Sequence, residues 1–367
     1  MFGTGLLFAF ALLDLYVLGR LAVLPAVTRR FRRSVPLGIA VLLFVLFVLA
    51  RSVGHTGASR AARLLELGGM DALVVLFLMA VALLGVDLTT GFGRWWPRQV
   101  PWLRLGAVAV GLGLSVVAIV QGTRAPVVSD YEVRLPGLPA SLDGTRLVAV
   151  SDLHVGPQLD VRWLDARVAQ VQALHPDIVV LLGDLVEGQS QPSAEVKAAL
   201  GKLSAPLGVY AVTGNHERAG RSGGNLDAII PASITLLRDR ALGVCPGLVL
   251  GGVDDLGSRR RGPEPPDAIV ARVLGGRPEG ATILLTHTPL GVEAAARAGA
   301  GLVLAGHTHG GQIWPFSSVE SLVYRYFVGR YDLEGTTVLV CRGTGTWGPR
   351  MRLWQPGEIM RVTLRTP

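Results

Sequence analysis

The sequence predicts an α/β fold, two packed β-sheets covered by helices, preceded by an N-terminal region of four membrane-spanning helices. Three observations predict it. The first 124 residues hold four long apolar runs, the remainder alternates short β-branched runs with amphipathic stretches, and half of the 367 residues are apolar while only 17% are charged. A mean hydropathy of +0.45 is too high for a purely soluble enzyme or a disordered chain. At roughly 150 residues per domain the length suits two units, residues 1–124 and 125–367.

The apolar runs are Leu6 to Val27, Pro36 to Ala50, Ala72 to Val86 and Leu105 to Val120, each near the length that crosses ~30 Å of hydrocarbon. A cleaved signal peptide is the alternative for the first run, and four helices are preferred because Met1 to Leu7 lacks a basic segment and three further runs follow. Arg29, Arg30, Arg32, Arg33, Arg94, Arg98 and Arg104 lie on one side of the predicted bilayer, and Arg51, Arg60, Arg63 and Arg124 on the other. Seven arginines against four make the first side cytoplasmic and place the domain after residue 124 on the non-cytoplasmic face of a multi-pass, bacterial-type membrane protein. Asp14 and Arg20 fall inside the first run, where snorkelling or helix pairing is expected of them. Ala107, Gly111 and Ser115 form a small-residue stripe suited to close helix packing. A linker of Gly122 to Val128 holds the second domain within ~25 Å of the bilayer.

Residues 1–124 carry 12 Arg, no Lys and 4 acidic side chains, whereas the rest of the chain balances 23 basic with 23 acidic. The neutral second domain argues against nucleic acid as a partner, because a phosphate-binding surface needs its positive charge on the globular domain. Two cysteines, Cys245 and Cys341, cannot form a thiolate metal cage.

In the second domain the predicted strands are Arg146 to Ser151, Ile178 to Leu182, Val209 to Thr213, Leu248 to Val253, Thr282 to Thr286 and Leu302 to Ala305. Thr337 to Cys341 and Glu358 to Leu364 follow without crossover helices. Val161, Leu164, Val168, Val171 and Leu174 recur at spacings of three and four, predicting a helix with one face on a sheet.

Five polar segments each follow a predicted strand directly: Ser151 to His154, Gly183 to Val186, Gly214 to Glu217, Thr286 to Pro289 and Gly306 to Gly311. Strands that run alike bring such segments to one edge of the sheet. Five of the seven histidines lie in them, a concentration that core packing does not produce. Two Asp, one Asn and four of these five His are oxygen and imidazole donors suited to two divalent cations of the Mn, Fe or Zn type. Asp184 could bridge such a pair. Two cations would lower the pKa of a shared water and clamp a phosphoryl group. Gly183 and Gly214 precede proposed ligands and let the backbone turn sharply.

The motifs SDLH, GD, GNHE, HTP and GHTHGGQ, between about Leu147 and Gln312, resemble those of the calcineurin-like metallophosphoesterase superfamily, in the family's order and with every metal-binding position present. The resemblance implies that Asp152, His154 and His309 hold one metal, that Asn215, His287 and His307 hold the other, and that Asp184 bridges them. It implies that His216 stabilises the transition state or protonates the leaving oxygen. It also implies a sandwich of two mixed sheets flanked by helices. The stretch Arg342 to Gly348, with Pro356 to Ile359, is similar to the membrane-associated YkuE-like and YaeI-like branch. Where the protein phosphatases of the superfamily read GDxVDRG, this chain reads Gly183-Asp184-Leu185-Val186-Glu187-Gly188, which disfavours a phosphoprotein substrate.

The expected activity is therefore hydrolysis of a phosphodiester or pyrophosphate by a membrane-anchored enzyme, with a lipid or membrane-proximal substrate. UDP-2,3-diacylglucosamine pyrophosphatase chemistry is one version, reached by analogy. The rival from another class is a transporter or sensor whose second domain binds metal without catalysis. Less weight falls on His175, expected at a helix end, on His55, and on the run Arg259, Arg260 and Arg261, expected in a solvated turn. Trp314, Phe316, Tyr324, Tyr326 and Phe327 read either as an apolar lip or as ordinary packing.

Overall fold

A computed structural model describes residues 2–32, 34–53, 59–187, 194–219, 229–260 and 262–367. Arg33, His55, Gly188 and Arg261 lie outside the described residues. The chain forms two compact units, one of Met1–Thr123 with Gly348–Leu353 and one of Arg124–Trp347 with Trp354–Pro367.

The first unit contains α1 (Phe2–Ala22), α2 (Pro25–Thr28), α3 (Ser34–Val53), α4 (Arg60–Thr89) and α5 (Val100–Thr123). Four of these, α1, α3, α4 and α5, are long and apolar enough to cross a membrane. The first apolar run breaks before Pro25, whose missing N–H opens the short α2 instead of continuing α1. The third run extends to 30 residues, starting where the Ser59 side chain accepts the Ala62 N–H at 3.1 Å. Ala107, Gly111 and Ser115 are buried on α5, and a Cβ on Gly111 would lie 2.6 Å from Met79 Cα, so the stripe does bring α4 and α5 together.

Arg20 finds a helix partner. Its Nε lies 2.7 Å from Asp87, whose other oxygen accepts from Arg104 at 2.7 and 3.0 Å, while Tyr16 donates its hydroxyl to Asp87 at 2.8 Å. Asp14 is buried on α1 between Phe10 and Val17, one turn away on either side. The irregular segment Gly348–Leu353 joins this unit through the Arg352 N–H, which donates to the Ala118 carbonyl at 2.9 Å.

The second unit holds twelve strands among the described residues. One six-stranded sheet has the order β1 (Val127–Arg134), β12 (Glu358–Arg365), β2 (Arg146–Val150), β3 (Ile178–Leu181), β4 (Val209–Ala211) and β5 (Ile234–Leu236). The other has the order β10 (Gly329–Leu333), β11 (Thr336–Val340), β9 (Leu302–Ala305), β8 (Ala281–Leu285), β7 (Leu248–Gly252) and β6 (Arg240–Cys245). Both sheets are mixed. From β2 through β5 and from β7 to β9 and β11 the strands are parallel, while β12–β2, β10–β11 and β6–β7 are antiparallel.

Alternation along each buried strand sorts side chains into layers. Leu147 and Ala149 of β2 meet Ile283, Leu285, Leu302 and Leu304 of the second sheet in the central core. Val148 and Val150 point the other way, onto α6 (Val161–Gln172) and α7 (Ala194–Leu200). Leu284 and Val303 likewise face α9 (Pro266–Gly275) and α10 (Val292–Arg297). The result is helices, sheet, sheet, helices. Helix α6 is the one predicted by spacing, and the Asp160 side chain caps it by accepting the Trp163 N–H at 3.1 Å. The expected linker shortens to residues 124–126, because α5 runs to Thr123 and β1 starts at Val127.

Candidate metal centre

The five polar segments leave the carboxyl ends of β2, β3, β4, β8 and β9, three strands of one sheet and two of the other. Parallel direction within each sheet, and face-to-face packing of the two, bring them to one edge. All eight sequence-predicted site residues meet there. Asp152, His154 and His309 offer donor atoms within 4.8 Å of one another, as do Asp184, His287 and His307, and also His154, Asp184 and His216.

The atom positions resolve two clusters. In the first, His154 Nε2 lies 3.2 Å from His309 Nε2, and His309 Nε2 lies 3.4 Å from Asp152 Oδ1. In the second, His287 Nε2 is 3.1 Å from Asn215 Oδ1 and 3.2 Å from His307 Nδ1. Asp184 Oδ2 stands between them, 3.7 Å from His154 Nε2 and 3.2 Å from His287 Nε2.

The surroundings orient these donors. His287 Nδ1–H donates to the Leu182 carbonyl at 2.8 Å and His154 Nδ1–H to Glu187 at 3.1 Å, which leaves each Nε2 as a lone pair facing the cluster. His307 is held through Nε2 by the Tyr324 hydroxyl at 2.9 Å. Asp152 Oδ2 accepts from the Ser151 hydroxyl at 2.5 Å and the His307 N–H at 3.1 Å, whereas its buried Oδ1 has no hydrogen-bond partner. A buried carboxylate oxygen that faces imidazole nitrogen, with His309 Nε2 at 3.4 Å, fits a cation. The residues present therefore suit the divalent metals that the donor chemistry implies.

Strain marks the same place. Asp152, His154, Asp184, His307 and His309 all have φ between 45° and 74°, the left-handed region that non-glycine residues rarely adopt. Gly183 reaches φ 89°, and a Cβ there would lie 2.8 Å from His287 Nδ1, while a Cβ on Gly214 would collide with the Asp184 carboxylate. Sequence carries the two glycines as a signal. The strained histidines and aspartates carry none.

Electrostatics follow from burial among opposite charges. Burial raises the Asp184 carboxyl, but His287 and His154 outweigh it and hold it well below the usual carboxylate range. Burial likewise opposes ionisation of Glu187, and its hydrogen bonds with His154 and His216 reverse the sign. His216 donates from Nδ1 to Glu187 at 3.3 Å. Burial lowers His216, the Glu187 hydrogen bond and the Asp184 charge raise it, and the net position is about 9.

Sequence reasoning gave two glutamates no role. Glu187 links His154 and His216, as above. Glu217 accepts the N–H groups of Asp184 at 2.9 Å, Leu185 at 2.7 Å and Gly214 at 2.7 Å, tying the loop after β3 to the loop after β4. Its position three residues after Gly214 in the GNHE segment was the available signal. The stretch Arg342 to Gly348 also reaches the site, where the Thr344 and Gly345 N–H groups donate to the Ser151 and Asp152 carbonyls at 2.7 and 3.0 Å.

Of the residues given less weight, Tyr324 reaches the centre through its bond with His307, and the following stay outside it. His175 is exposed just after α6, and Arg259 pairs with Asp239 at 2.6 Å. Tyr326 and Phe327 are buried, but Trp314 and Phe316 are exposed. Neither Cys245 nor Cys341 forms a disulfide, and the fully buried Cys341 thiol donates to the Glu358 carbonyl at 3.8 Å.

Comparison with known proteins agrees with this geometry. A family model described as calcineurin-like phosphoesterase matches residues 145–311. The chain is 34% identical over 273 residues to a "Transmembrane protein with metallophosphoesterase domain" of Bos taurus, covering 71% of this chain and 62% of that one. It thus spans less than two thirds of that relative's length. An uncharacterized metallophosphoesterase of Campylobacter jejuni is 31% identical over 265 residues, covering 71% of this chain and 69% of the relative. The uncharacterized metallophosphoesterase YkuE of Bacillus subtilis is 26% identical over 249 residues, covering 65% and 85%. With the motifs at the strand ends of two mixed sheets and these matches in hand, the chain belongs to the calcineurin-like metallophosphoesterases.

Proposed function

We propose that this chain hydrolyses a phosphodiester or pyrophosphate bond in a lipid or other membrane-resident substrate, with residues 1–124 as anchor and 125–367 as catalyst. Asp152, His154 and His309 hold one divalent cation, Asn215, His287 and His307 hold a second, and Asp184 contributes to both. The observation that carries this reading is the convergence of these seven donors from five strand ends, in groups whose atoms lie within 4.8 Å. Imidazole and oxygen donors without thiolate favour manganese, iron or zinc.

Bound there, the cations supply Lewis acidity toward the phosphoryl oxygens and a water of lowered pKa. The remaining work belongs to the chain. His216, its ring held by Glu187 at 3.3 Å, gives a proton to the departing oxygen, which leaves as an alcohol or phosphate. Glu187 fixes the ring that carries this proton. Glu217 keeps the Asp184 and Asn215 loops in register, so that a water and a phosphoryl group meet in one orientation.

Support for a membrane-resident substrate comes from the linker. Only residues 124–126 separate α5 from β1, a reach of about 14 Å even when extended. The arginine count assigns the catalytic domain to the non-cytoplasmic face. Cys245, half-buried while Cys341 is inaccessible, reports the face: an impermeant thiol reagent added to intact cells labels it if this assignment holds.

The test is hydrolysis by full-length protein reconstituted with manganese, iron or zinc, against monoester, diester, pyrophosphate and lipid-extract substrates. Chelator-sensitive cleavage of a diester or pyrophosphate, lost in Asp184→Asn, is expected. No metal-dependent cleavage of any of them would leave the metal-binding sensor as the better account.

A further inference from the structure

Exposed apolar surface on the catalytic unit is concentrated beside the metal centre. Of the four tryptophans beyond residue 124, Trp163 belongs to α6, and Trp314, Trp347 and Trp354 all lie exposed. Trp314 and Trp354 have ring centroids 5.1 Å apart. Between them in sequence, helix α11 (Phe316–Glu320) and the turn after it present Val319, Leu322 and Val323 to solvent, Leu322 with 87% of its surface exposed. Among the described residues of this unit, Val127 is the only large hydrophobic with comparable exposure elsewhere. Isolated exposed apolar residues are ordinary; this grouping is not.

The lip is fastened to the site at two points. Tyr324, one residue beyond Val323, bonds His307 at 2.9 Å. The Gln312 side chain bonds the Trp347 backbone in both directions at 3.0 Å, and the Trp347 ring centroid is 6.3 Å from that of His216. A surface anchored so closely to the proposed reacting groups positions whatever it binds.

Its chemistry points to one occupant. The aliphatic residues are the most exposed of the group and the tryptophans less so, a composition that suits an acyl boundary beside headgroups. The chain supplies the proximity as well, since its last membrane-length helix ends three residues before β1. We propose that the lip of residues 314–323, with Trp347 and Trp354, dips into the bilayer at the acyl–headgroup boundary and hands a lipid phosphoester to the metal centre. This inference rests on the hydrolytic reading above and names the physical state of its substrate.

The experiment uses the full-length protein in phosphatidylcholine–phosphatidylglycerol liposomes, with Cys245→Ser and an environment-sensitive fluorophore on Leu322→Cys. A second label on Glu279→Cys, exposed just before β8 at the sheet edge opposite the site, serves as reference. The expected result is several-fold stronger quenching of the Leu322 label by spin-labelled acyl chains, with shielding from aqueous iodide. Quenching by iodide as free as at Glu279, or protection from both quenchers through association of two copies, overturns the proposal. Leu322→Glu with Val323→Glu should lower cleavage of lipid substrate at least tenfold more than cleavage of a short soluble diester; equal losses also overturn it. The same label in Asp184→Asn separates the two readings, because lipid quenching persists there even if no phosphoester is ever cleaved.

Discussion

Asp87 in the helical unit and Asp152 in the catalytic unit are both fully buried carboxylates, and they are satisfied in opposite ways. Asp87 in the helical unit is saturated: Arg20, Arg104 and Tyr16 occupy both of its oxygens. Asp152 in the catalytic unit is held differently, one oxygen taken by Ser151 and His307 and the other facing the His309 imidazole at 3.4 Å. The first pattern is complete in itself and holds helices together. The second is complete only with a cation, and its φ angles show that the fold tolerates strain to keep it so. An open oxygen alone does not mark a ligand, because Asp14 on α1 also has one; what sets Asp152 apart is that its open oxygen faces imidazole nitrogen, with His309 Nε2 at 3.4 Å.

The largest expected effect breaks the catalytic side of this comparison. Asp184→Asn should lower metal-dependent turnover by about 10³-fold, comparable with the loss of one main electrostatic stabiliser, with little change in thermal stability of the metal-free protein. Kinetics and melting measured on the same preparation check both halves.

Next comes the mirror experiment. Asp87→Ala leaves two arginines without their buried counter-ion, and should cost about 3–5 kcal/mol of stability in detergent. Turnover per folded molecule should be retained. A variant that keeps its stability would show that the Asp87 network is not structural.

Smaller again is Glu187→Gln, which frees the His216 ring. Turnover of an alkyl diester should fall by about 10²-fold, the low end of what a general acid contributes. A p-nitrophenyl diester, whose leaving group needs no proton, should lose much less. Equal losses would mean that Glu187 acts on the metal ligand His154 and not on the acid.

The two sheets and the site were legible in the sequence for one physical reason: buried parallel strands are apolar runs, and their functional residues sit immediately after them. Val148 and Val150 reach an outer core while Leu147 and Ala149 reach the inner one, so β2 had to be apolar throughout. Strand β1 was not legible. Its residues Val127 to Arg134 alternate polar and apolar at a sheet edge, and its partner β12 lies at the other end of the chain. Strands β5, β6 and β10 share the difficulty, being short or at edges. The GNHE segment marks the position of Glu217 but not its role, which is defined by backbone N–H groups from two loops that leave no mark in a sequence. Nor does any local pattern announce that Gly348–Leu353 belongs with the helices.

The smallest effect concerns a half-buried carboxyl. Glu320, on α11, is pushed up from 4.5 to about 7 by burial alone, with neither arginine nor ligand role. Between those values the folded state holds more protons than the unfolded one, so stability falls as pH rises from about 4.5 to 7 and levels off above. Glu320→Gln should flatten that decline, as seen in melting temperature against pH. An unchanged slope would place the titration in another group.

The most direct test of the metal centre is a count of bound ions. Full-length protein purified after exposure to excess manganese, then desalted, should retain two ions per chain, and Asp184→Asn should retain fewer. A wild-type chain that emerges from the same procedure without metal would contradict the account at its root.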